Sequence, residues 1–515
     1  MNCLRLGLYV LLACCTYALL PGRVCAYVVN GRWAFTATDG LTAPYGNPVT
    51  LTWSIVPDGT TISHRSQPSD LVSFLDDIFD VEQGGSDYQA RPWFDLLDSS
   101  FQRWSEVSGV VLEYEPFDDG LTGHPHGNWL GAVGVRGDIR LGGTSLDGPA
   151  KAYAETGFIP NGDITIDTDD AVFYGTAGAG NTYLNLRNTL THEIGHSLGL
   201  GHTVSPSSGF LMESGASSMF DGPQFDDILG AHYLYGDRLE TAGGNNTPET
   251  AHPLGSIAPM APQVVGIDAT VGVGIAPEAM DFVSISDSSD VDYFSFTTVG
   301  PTKLDLVLTP AGPTYNEFIF GVGIEDIDAS MLGDLSLELY AESGGEFNLL
   351  ATVNQGGIGD PESIVEFDLP AGGTYLARVA SADDAVQFYT LSFDVQDAET
   401  YAGDYNDDGT VNLADYVVWR NHFGAADDSS LLFRGDGVPG IDAGDYQVWV
   451  ENLGVSYGES GTASHTIPEP TAALMVLLSL LSGAVRRQRA SSQTPGQVAA
   501  YRSPSTGALK CCENG

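Results

Sequence analysis

The chain has 515 residues, which is too long for a single hydrophobic core and indicates several domains. Hydrophobic residues make up 43% of it, as in folded proteins, and 67 Asp and Glu against 20 Lys and Arg exclude nucleic-acid binding through a basic surface. The six cysteines lie near the two ends, which excludes thiolate metal sites and cysteine nucleophiles from the body of the chain: Cys3, Cys14, Cys15, Cys25, Cys511 and Cys512.

Residues 1–26 have the composition of a secretory signal peptide. Arg5 precedes an apolar run at 6–20, and small or modest residues end at Ala26, where we expect cleavage. A membrane anchor that is not cleaved is the alternative, but the apolar run is short for one.

Residues 27–240 mix helix and strand patterns, which predicts an α/β or α+β domain. Residues 49–56 and 110–114 are typical of strands. Residues 93–107 and 183–198 are typical of helices.

The segment from His192 to His202 carries the most specific chemistry. His192 and His196 are four residues apart, so on a helix both imidazoles lie on one face and can bind a single Zn²⁺. Gly199 permits a sharp turn that brings His202 in as the third ligand. The fourth position is left to a water that zinc acidifies, and Glu193 is placed to take its proton as the general base.

This motif resembles that of the metzincins, and residues 211–214 resemble their Met-turn, which implies that Met212 is a structural floor under the metal. Further segments resemble the first and last helices of the matrixins, namely residues 101–105, 225–228 and 233–236. The resemblance covers roughly residues 30–237 and implies a matrixin-like zinc metallopeptidase.

The matrixin resemblance also implies Ca²⁺ sites in this domain, at Asp138 with Asp163, and at Asp147 with Asp167 and Asp170. Solvated loop acids in an acidic chain are the alternative. The chain departs from the family where residues 138–147 are too short for its structural-zinc loop and Thr165 replaces a ligand histidine, so we expect no structural zinc. A Pro-Arg-Cys-Gly segment of the kind that blocks matrixin zymogens is also missing, so this mechanism of latency is unsupported.

Residues 241–398 contain short alternating runs separated by Gly, Pro and Asp, which predicts an all-β sandwich. The runs lie at 291–296, 304–308, 335–340, 364–369 and 389–395. Residues 290–294 and 369–375 resemble the pre-peptidase C-terminal domain of secreted bacterial peptidases. That resemblance implies a spacer or substrate-adhesion module without catalytic residues of its own.

Residues 399–456 contain a repeat with an offset of thirty residues, which predicts a small α-helical calcium domain. The first loop has Ca²⁺ spacing, with donors at Asp404, Asn406, Asp408, Thr410, Asn412 and Asp415. Arg434 and Val438 stand at ligand positions of the second loop, which we attribute to an insertion at Pro439-Gly440. The first loop and the helix after it resemble dockerins, which implies a cohesin-like partner; a calcium-folded spacer is the alternative.

The C-terminal part predicts a linker at 457–470, a short hydrophobic helix with an Arg cluster at 471–489 and a tail at 490–515. Its fifteen apolar residues would span about 22 Å, less than a bilayer core of about 30 Å. Pro468, Glu469 and Pro470 with the helix and arginines resemble the PEP-CTERM sorting signal, which implies export in a Gram-negative bacterium and removal by an exosortase. A stop-transfer anchor is the alternative.

The sequence therefore predicts a multidomain, secreted or surface-associated zinc endopeptidase that acts on protein substrates outside the cell. A non-catalytic surface adhesin or docking protein that retains a zinc-bound fold is the alternative, and the intact Glu193 argues against it. A peptidase that acts only on its own surface layer is a third possibility.

Overall fold

The computed structural model describes residues 27–61, 67–82, 85–121, 131–146, 151–154, 162–175, 183–206, 209–215, 218–259, 261–319, 322–397, 402–432 and 434–455. These residues form two compact units, the first ending at Gln396 and the second beginning at Asp397. The predicted signal peptide and the predicted segments from 457 onward lie outside the described residues. Within the described residues, no helix is long and apolar enough to cross a membrane.

The N-terminal part of the first unit contains strands β1 (Phe35–Thr36), β2 (Gly40–Leu41), β3 (Val49–Ile55), β4 (Val110–Tyr114), β5 (Ile139–Thr144), β6 (Ala152–Ala154) and β7 (Ile164–Asp167). Five of them form one sheet in the order β4-β3-β5-β7-β6. The first four of these are parallel, and β6 runs antiparallel to β7 at the edge. All but one of the residues of β3 are buried, as expected for a parallel strand covered on both faces.

The helices of this part are α1 (Leu71–Ile78), α2 (Phe94–Glu106), α3 (Ala171–Tyr174), α4 (Leu184–Leu198) and α5 (Phe225–Tyr235), with a 3-10 turn at Tyr88–Ala90. The rings of Trp53 in β3 and Phe101 in α2 stack at 4.1 Å, which fastens α2 to the sheet. Trp104 in α2 donates from Nε1 to the Thr191 carbonyl at 2.9 Å. Helix α4 is therefore held through α2 on the central sheet.

The C-terminal part of the first unit contains strands β8 (His252–Ser256), β9 (Gln263–Val265), β10 (Ser284–Ile285), β11 (Val291–Thr298), β12 (Thr302–Pro310), β13 (Thr314–Ile319), β14 (Gly323–Asp328), β15 (Leu335–Ser343), β16 (Glu346–Val353), β17 (Glu362–Leu369), β18 (Gly373–Ser381) and β19 (Gln387–Asp397). One sheet has the order β16-β15-β18-β11-β8, another has the order β10-β19-β12-β17 with β9 on β19, and β13 and β14 form a hairpin. Short 3-10 segments lie at Arg238–Gly243, Pro248–Thr250 and Ile267–Thr270. Buried side chains of both sheets meet in one core, so the sheets form a sandwich.

The sandwich and the N-terminal part share a second apolar cluster, which explains why they form one unit. Phe225 in α5 packs edge-on against Phe388 in β19, with ring centroids 5.3 Å apart. His232 in α5 is fully buried, with Nδ1 2.8 Å from the Ser284 hydroxyl and Nε2 2.7 Å from the Val107 carbonyl. The predicted domain boundary at residue 240 therefore lies inside a continuous packed structure.

The second unit contains helices α6 (Leu413–His422) and α7 (Ala443–Asn452) with a 3-10 turn at Ser429–Leu431. Its contacts are reciprocal between the two copies of the repeat. Trp419 donates from Nε1 to the Asp442 carbonyl, and Trp449 donates to the Asn412 carbonyl, both at 2.7 Å. The apolar core is small: Tyr405, Val411, Leu431, Ile441 and Trp449.

The structure confirms the multidomain architecture and the sheet-rich region. The helix predicted at 183–198 is observed at Leu184–Leu198, and the strand predicted at 110–114 has the predicted bounds. All five predicted runs of the sandwich are extended by two or three residues at one or both ends, because flanking residues such as Thr298 and Thr302 continue the strand pairing.

Candidate active site

Helix α4 ends in a reversal of the chain that its sequence makes possible. Gly199 has a φ of 107°, a left-handed conformation that glycine adopts without strain. Its amide donates to the His196 carbonyl at 2.9 Å, and the Leu200 amide donates to the Gly195 carbonyl at 2.9 Å. The reversal returns His202 to the side of the helix that carries His192 and His196.

The three histidines meet at their Nε2 atoms. The Nε2 atom of His202 lies 3.2 Å from that of His192 and 3.0 Å from that of His196. Ligands at about 2.1 Å around a tetrahedral zinc would be about 3.4 Å apart. The predicted triad is thus brought together at nearly the spacing that zinc requires.

Backbone carbonyls fix the orientation of two of these rings. Nδ1 of His192 lies 2.6 Å from the Leu211 carbonyl, and Nδ1 of His196 lies 2.8 Å from the Leu200 carbonyl. A carbonyl only accepts, so each Nδ1 carries the proton and each Nε2 presents a lone pair. His202 can donate from Nε2 to one of them at most, so the arrangement suits a cation between the three rings.

Burial keeps these imidazoles in the neutral form that binds metal. It lowers the pKa of His192 to about 4 and that of His196 to about 3. Three neutral nitrogen ligands match the donor set of a catalytic zinc site.

Glu193 is held beside the triad at the cleft. Its side chain is 7% exposed, and burial raises its pKa to about 8, opposed by a hydrogen bond from the Ala154 amide. The cleft has a volume of about 620 Å³. Its lining includes Glu193, the three histidines, edge strand β6, and Ser214 and Gly215 at the end of the Met-turn.

Met212, predicted as the floor under the metal, packs against helix α4 at Gly195. It is 1% exposed, and a Cβ at Gly195 would stand 2.5 Å from its sulfur and 2.9 Å from the Trp104 ring. Gly195 is therefore required for this packing, a role that residue spacing did not reveal. The carbonyl partners Leu200 and Leu211 were also missed, because backbone groups leave no side-chain signature.

The acids predicted as calcium ligands of this part have hydrogen-bond or ion-pair partners in the protein. Asp138 accepts from the Ala37 amide and from the amide and hydroxyl of Thr52, while Asp163 accepts from the Arg140 amide. Asp167 accepts from the Leu146 and Asp169 amides, and Asp170 pairs with Lys151 at 2.5 Å. Asp147 lies outside the described residues. Within the part of the chain that the structure describes, none of these acids belongs to a group of three His, Asp or Glu side chains close enough to share an ion.

The first loop of the second unit does gather its acids. Oxygens of Asp404, Asp408 and Asp415 lie within 4.8 Å of one another. Asp415 accepts from the Asn406 and Asn412 amides, and Asn412 accepts from the Ala414 amide while its own amide group donates to the Thr410 carbonyl. The loop thus has the curled form that directs oxygens inward.

The second loop has the same length as the first, which corrects our interpretation of an insertion. Asp445 accepts from the Asp436 and Asp442 amides, thirty residues after the equivalent contacts of Asp415. The copy is degraded by substitution. Arg434 replaces Asp404, Val438 replaces Asp408, and Pro439 replaces Gly409, whose φ of 78° a proline cannot adopt.

A buried acidic cluster gave no signal in the sequence. Oxygens of Glu240, Asp290 and Asp292 lie within 4.8 Å of one another, where the sandwich meets the segment after α5. Burial raises the pKa of Glu240 to about 9, that of Asp290 to about 6 and that of nearby Asp237 to about 7. The pKa of Asp292 is raised well above its usual value for the same reason.

Comparison with known proteins bears on the first unit. Residues 86–236 match the family model "Matrixin", which confirms the predicted resemblance for that part of the chain. The chain is 32% identical over 181 residues to matrix metalloproteinase-19 of Homo sapiens, which covers 32% of this chain. The matched part spans 30% of that relative's length. The dockerin-like and PEP-CTERM-like resemblances stay predictions.

Two solved structures are similar to parts of the chain. The pre-peptidase C-terminal domain of a collagenase from Bacillus anthracis is 16% identical and matches 30% of this chain and 100% of its own length, with a TM-score of 0.16. The Yersinia pseudotuberculosis-derived mitogen is 12% identical and matches 22% of this chain and 91% of its own length, with a TM-score of 0.12.

Proposed function

We propose that this protein is a zinc-dependent endopeptidase. The observation that carries the proposal is the convergence of three Nε2 atoms, 3.0 and 3.2 Å apart, beside the Glu193 carboxylate in an open cleft. The matrixin match of residues 86–236 supports it, because the triad and Glu193 lie within that segment.

His192, His196 and His202 would hold the zinc, which when bound supplies a Lewis acid that polarises a peptide carbonyl and acidifies a water. Glu193 acts as the general base that accepts the proton of the attacking water. It then returns this proton to the nitrogen of the departing amine. Its position one residue after His192 keeps its carboxylate at the cleft while its backbone stays in helix α4.

The cleft is suited to an extended polypeptide. Among the described strands, β6 pairs only with β7, and its residues 152–154 line the cleft. A substrate can therefore add to this edge through backbone hydrogen bonds, which accept many sequences. An open cleft of this kind permits cleavage within a chain rather than only at its ends.

We further propose that the enzyme is exported and works outside the cell or on the envelope of a Gram-negative bacterium. The signal-like residues 1–26 and the sorting-like residues 467–489 support this location. Signal peptidase, and for the C-terminal segment an exosortase, would process the chain. The second unit would bind Ca²⁺ at Asp404–Asp415 and contact a cohesin-like or other surface partner.

The decisive experiment compares the exported chain, residues 27–455, with its Glu193→Gln variant. Zinc content is measured together with cleavage of casein, gelatin and isolated envelope proteins. We expect one zinc per chain in both proteins and cleavage only by the wild type. Cleavage of envelope proteins alone would identify a peptidase of the surface layer. Zinc without cleavage of any substrate would favour the adhesin, and a wild type without zinc would refute the site.

A further inference from the structure

Strand β13, in the hairpin of the C-terminal part of the first unit, lies against the metal-site region, although it is outside the matrixin-matching residues 86–236. Tyr315 and Glu317 are buried, and the side chains between and beside them are more exposed. The Tyr315 ring packs edge-on against Phe210, with ring centroids 5.3 Å apart. Phe210 directly precedes Leu211, whose carbonyl contacts His192. The strand thus reaches to within a few residues of a metal ligand.

One path of contacts leads from Tyr315 to His192. The Tyr315 hydroxyl donates to Oδ1 of Asp226 at 2.7 Å, at the start of helix α5. The neighbouring Asp227 accepts from the amides of Leu211 at 2.7 Å and Met212 at 2.9 Å. Tyr315 therefore fixes the helix start that holds the turn on which Nδ1 of His192 depends.

A second path of contacts leads from Asn316 and Phe318 to His202. The Phe318 amide donates to the Val204 carbonyl at 2.8 Å, and the Ser205 hydroxyl donates to the Asn316 carbonyl. Val204 and Ser205 follow His202 in an extended segment without helical hydrogen bonds of its own. The Val204 carbonyl therefore needs a partner from another element, and the Phe318 amide of β13 supplies it, while the Ser205 side chain adds a second contact to the same strand.

The two paths of contacts are also connected to each other by a hydrogen bond. The Thr203 amide, next to His202, donates to the Met212 carbonyl at 3.0 Å. A shift of β13 would therefore move the supports of His192 and His202 together. Groups behind the ligands tune metal affinity by about 10–100-fold, because they set ligand orientation.

We propose that strand β13 is a positioning element of the metal site, in which Tyr315 supports His192 and the backbone of Asn316 and Phe318 supports His202. This inference rests on the proposed function, since it requires that the triad holds zinc. The sandwich is then part of the peptidase rather than a detachable module. Tyr315 is a positioning residue, because it acts through Asp226 and Phe210 and touches no ligand itself.

The test uses the exported chain with Tyr315→Phe, which keeps the ring and removes only the hydroxyl. Ser205→Ala removes the hydrogen bond from the Ser205 hydroxyl to the Asn316 carbonyl, in the path that leads to His202. The matched controls are Tyr375→Phe, whose hydroxyl bonds the Ala371 carbonyl at 2.7 Å, and Ser336→Ala, whose hydroxyl bonds the Ala380 carbonyl at 3.2 Å. Both control contacts lie within the sandwich. Zinc release to a chromophoric chelator, the visible spectrum of the Co²⁺-substituted protein, kcat and KM are measured.

We expect Tyr315→Phe and Ser205→Ala to release zinc about tenfold faster than wild type and to change the Co²⁺ spectrum, with the controls unchanged. We expect kcat to fall while KM stays, because the substrate cleft is intact. Wild-type rates and spectra in both folded variants would overturn the inference while leaving the peptidase in place. Equal acceleration in the variants and controls would also overturn it, because the effect would then be general destabilisation. A wild type that binds neither Zn²⁺ nor Co²⁺ would overturn the proposed function and this inference together.

Discussion

The two metal-binding motifs of this chain, one in each unit, are held in different ways. The triad in the first unit depends on partners that are distant in sequence, such as the Leu211 carbonyl 19 positions from His192. The loop in the second unit is held largely by its own backbone, with further contacts from Trp449 to the Asn412 carbonyl and from Arg434 to the Asp404 carbonyl. Asp404 accepts from the Asp408 and Gly409 amides, and both lie within the same twelve residues.

This difference predicts opposite responses to metal. The triad is oriented by the fold, so its geometry exists before a metal binds. The loop brings three carboxylates within 4.8 Å in a unit with a small core, and the single guanidinium of Arg434, 3.6 Å from Asp404, offsets only part of their repulsion, so we expect the loop to need a bound cation. We expect the first unit to bind metal without refolding and the second to depend on Ca²⁺ for its fold.

The largest effect is expected from His196→Ala. The variant loses a zinc ligand, so zinc binding and peptidase activity should fall by a factor of about 10⁴ or more. The first unit should stay folded, because the lost hydrogen bond to the Leu200 carbonyl costs only about 1 kcal/mol.

The matched control for this variant is His422→Ala, which removes an exposed histidine at the end of α6 in the second unit. Zinc content and near-ultraviolet circular dichroism are measured for both proteins. Global unfolding of His196→Ala would break the comparison, because the triad would then be needed for the fold.

The next effect is that of EDTA, which should remove the proposed zinc and calcium from a protein of residues 27–455. Amides of the second unit at 402–455 should lose protection from hydrogen exchange, because without Ca²⁺ the repulsion among the loop carboxylates is offset only in part by Arg434, 3.6 Å from Asp404. Amides of β3 and α4 should stay protected, because their core is apolar and large. Exchange measured by mass spectrometry resolves the two units in one sample. Equal loss of protection in both units would contradict the proposed difference.

A smaller effect separates two neighbouring acids of the loop. Asp408 lies at a ligand position and Asp407 does not, so Asp408→Asn should lower Ca²⁺ affinity by about 10–100-fold. Asp407→Asn should change it much less, because Asp407 contacts Arg434 and not the loop interior. Isothermal titration with Ca²⁺ checks both, and equal affinities would refute the ligand assignment.

The same contrast shows what could be predicted from the sequence. The spacing of His192, His196 and His202 predicts their convergence, because helix geometry and one glycine turn determine it. The loop from Asp404 to Asp415 was predictable for the same reason, since its contacts are local.

Long-range contacts were not predictable in this way. The carbonyl of Leu211 and the β13 contacts of Tyr315 depend on which surfaces pack together, and no residue spacing encodes that. The acids around Glu240 come from segments about 50 residues apart, so their proximity was equally hidden. The packing of the two parts of the first unit against each other across residue 240 was hidden for the same reason.

The smallest expected effect is an opposite pH dependence of the two units. In the first unit, burial raises the pKa of Glu240 to about 9, of Asp237 to about 7 and of Asp290 to about 6, against about 4 when unfolded. The folded unit therefore binds more protons between pH 4 and pH 9, so its stability is highest below pH 4 from this source and declines as pH rises through this range. In the second unit, the proposed Ca²⁺ site requires ionised carboxylates, so we expect its stability to decline as pH falls. We expect the Tm of the first unit to drop by about 5 °C between pH 5 and pH 9, and Glu240→Gln to flatten that slope.

Glu113→Gln, at an exposed position of β4, is the control, and differential scanning calorimetry in saturating Ca²⁺ is the measurement. A Tm that rises with pH in the first unit would show that the cluster stays ionised in the folded state, which would remove the contrast between the two units.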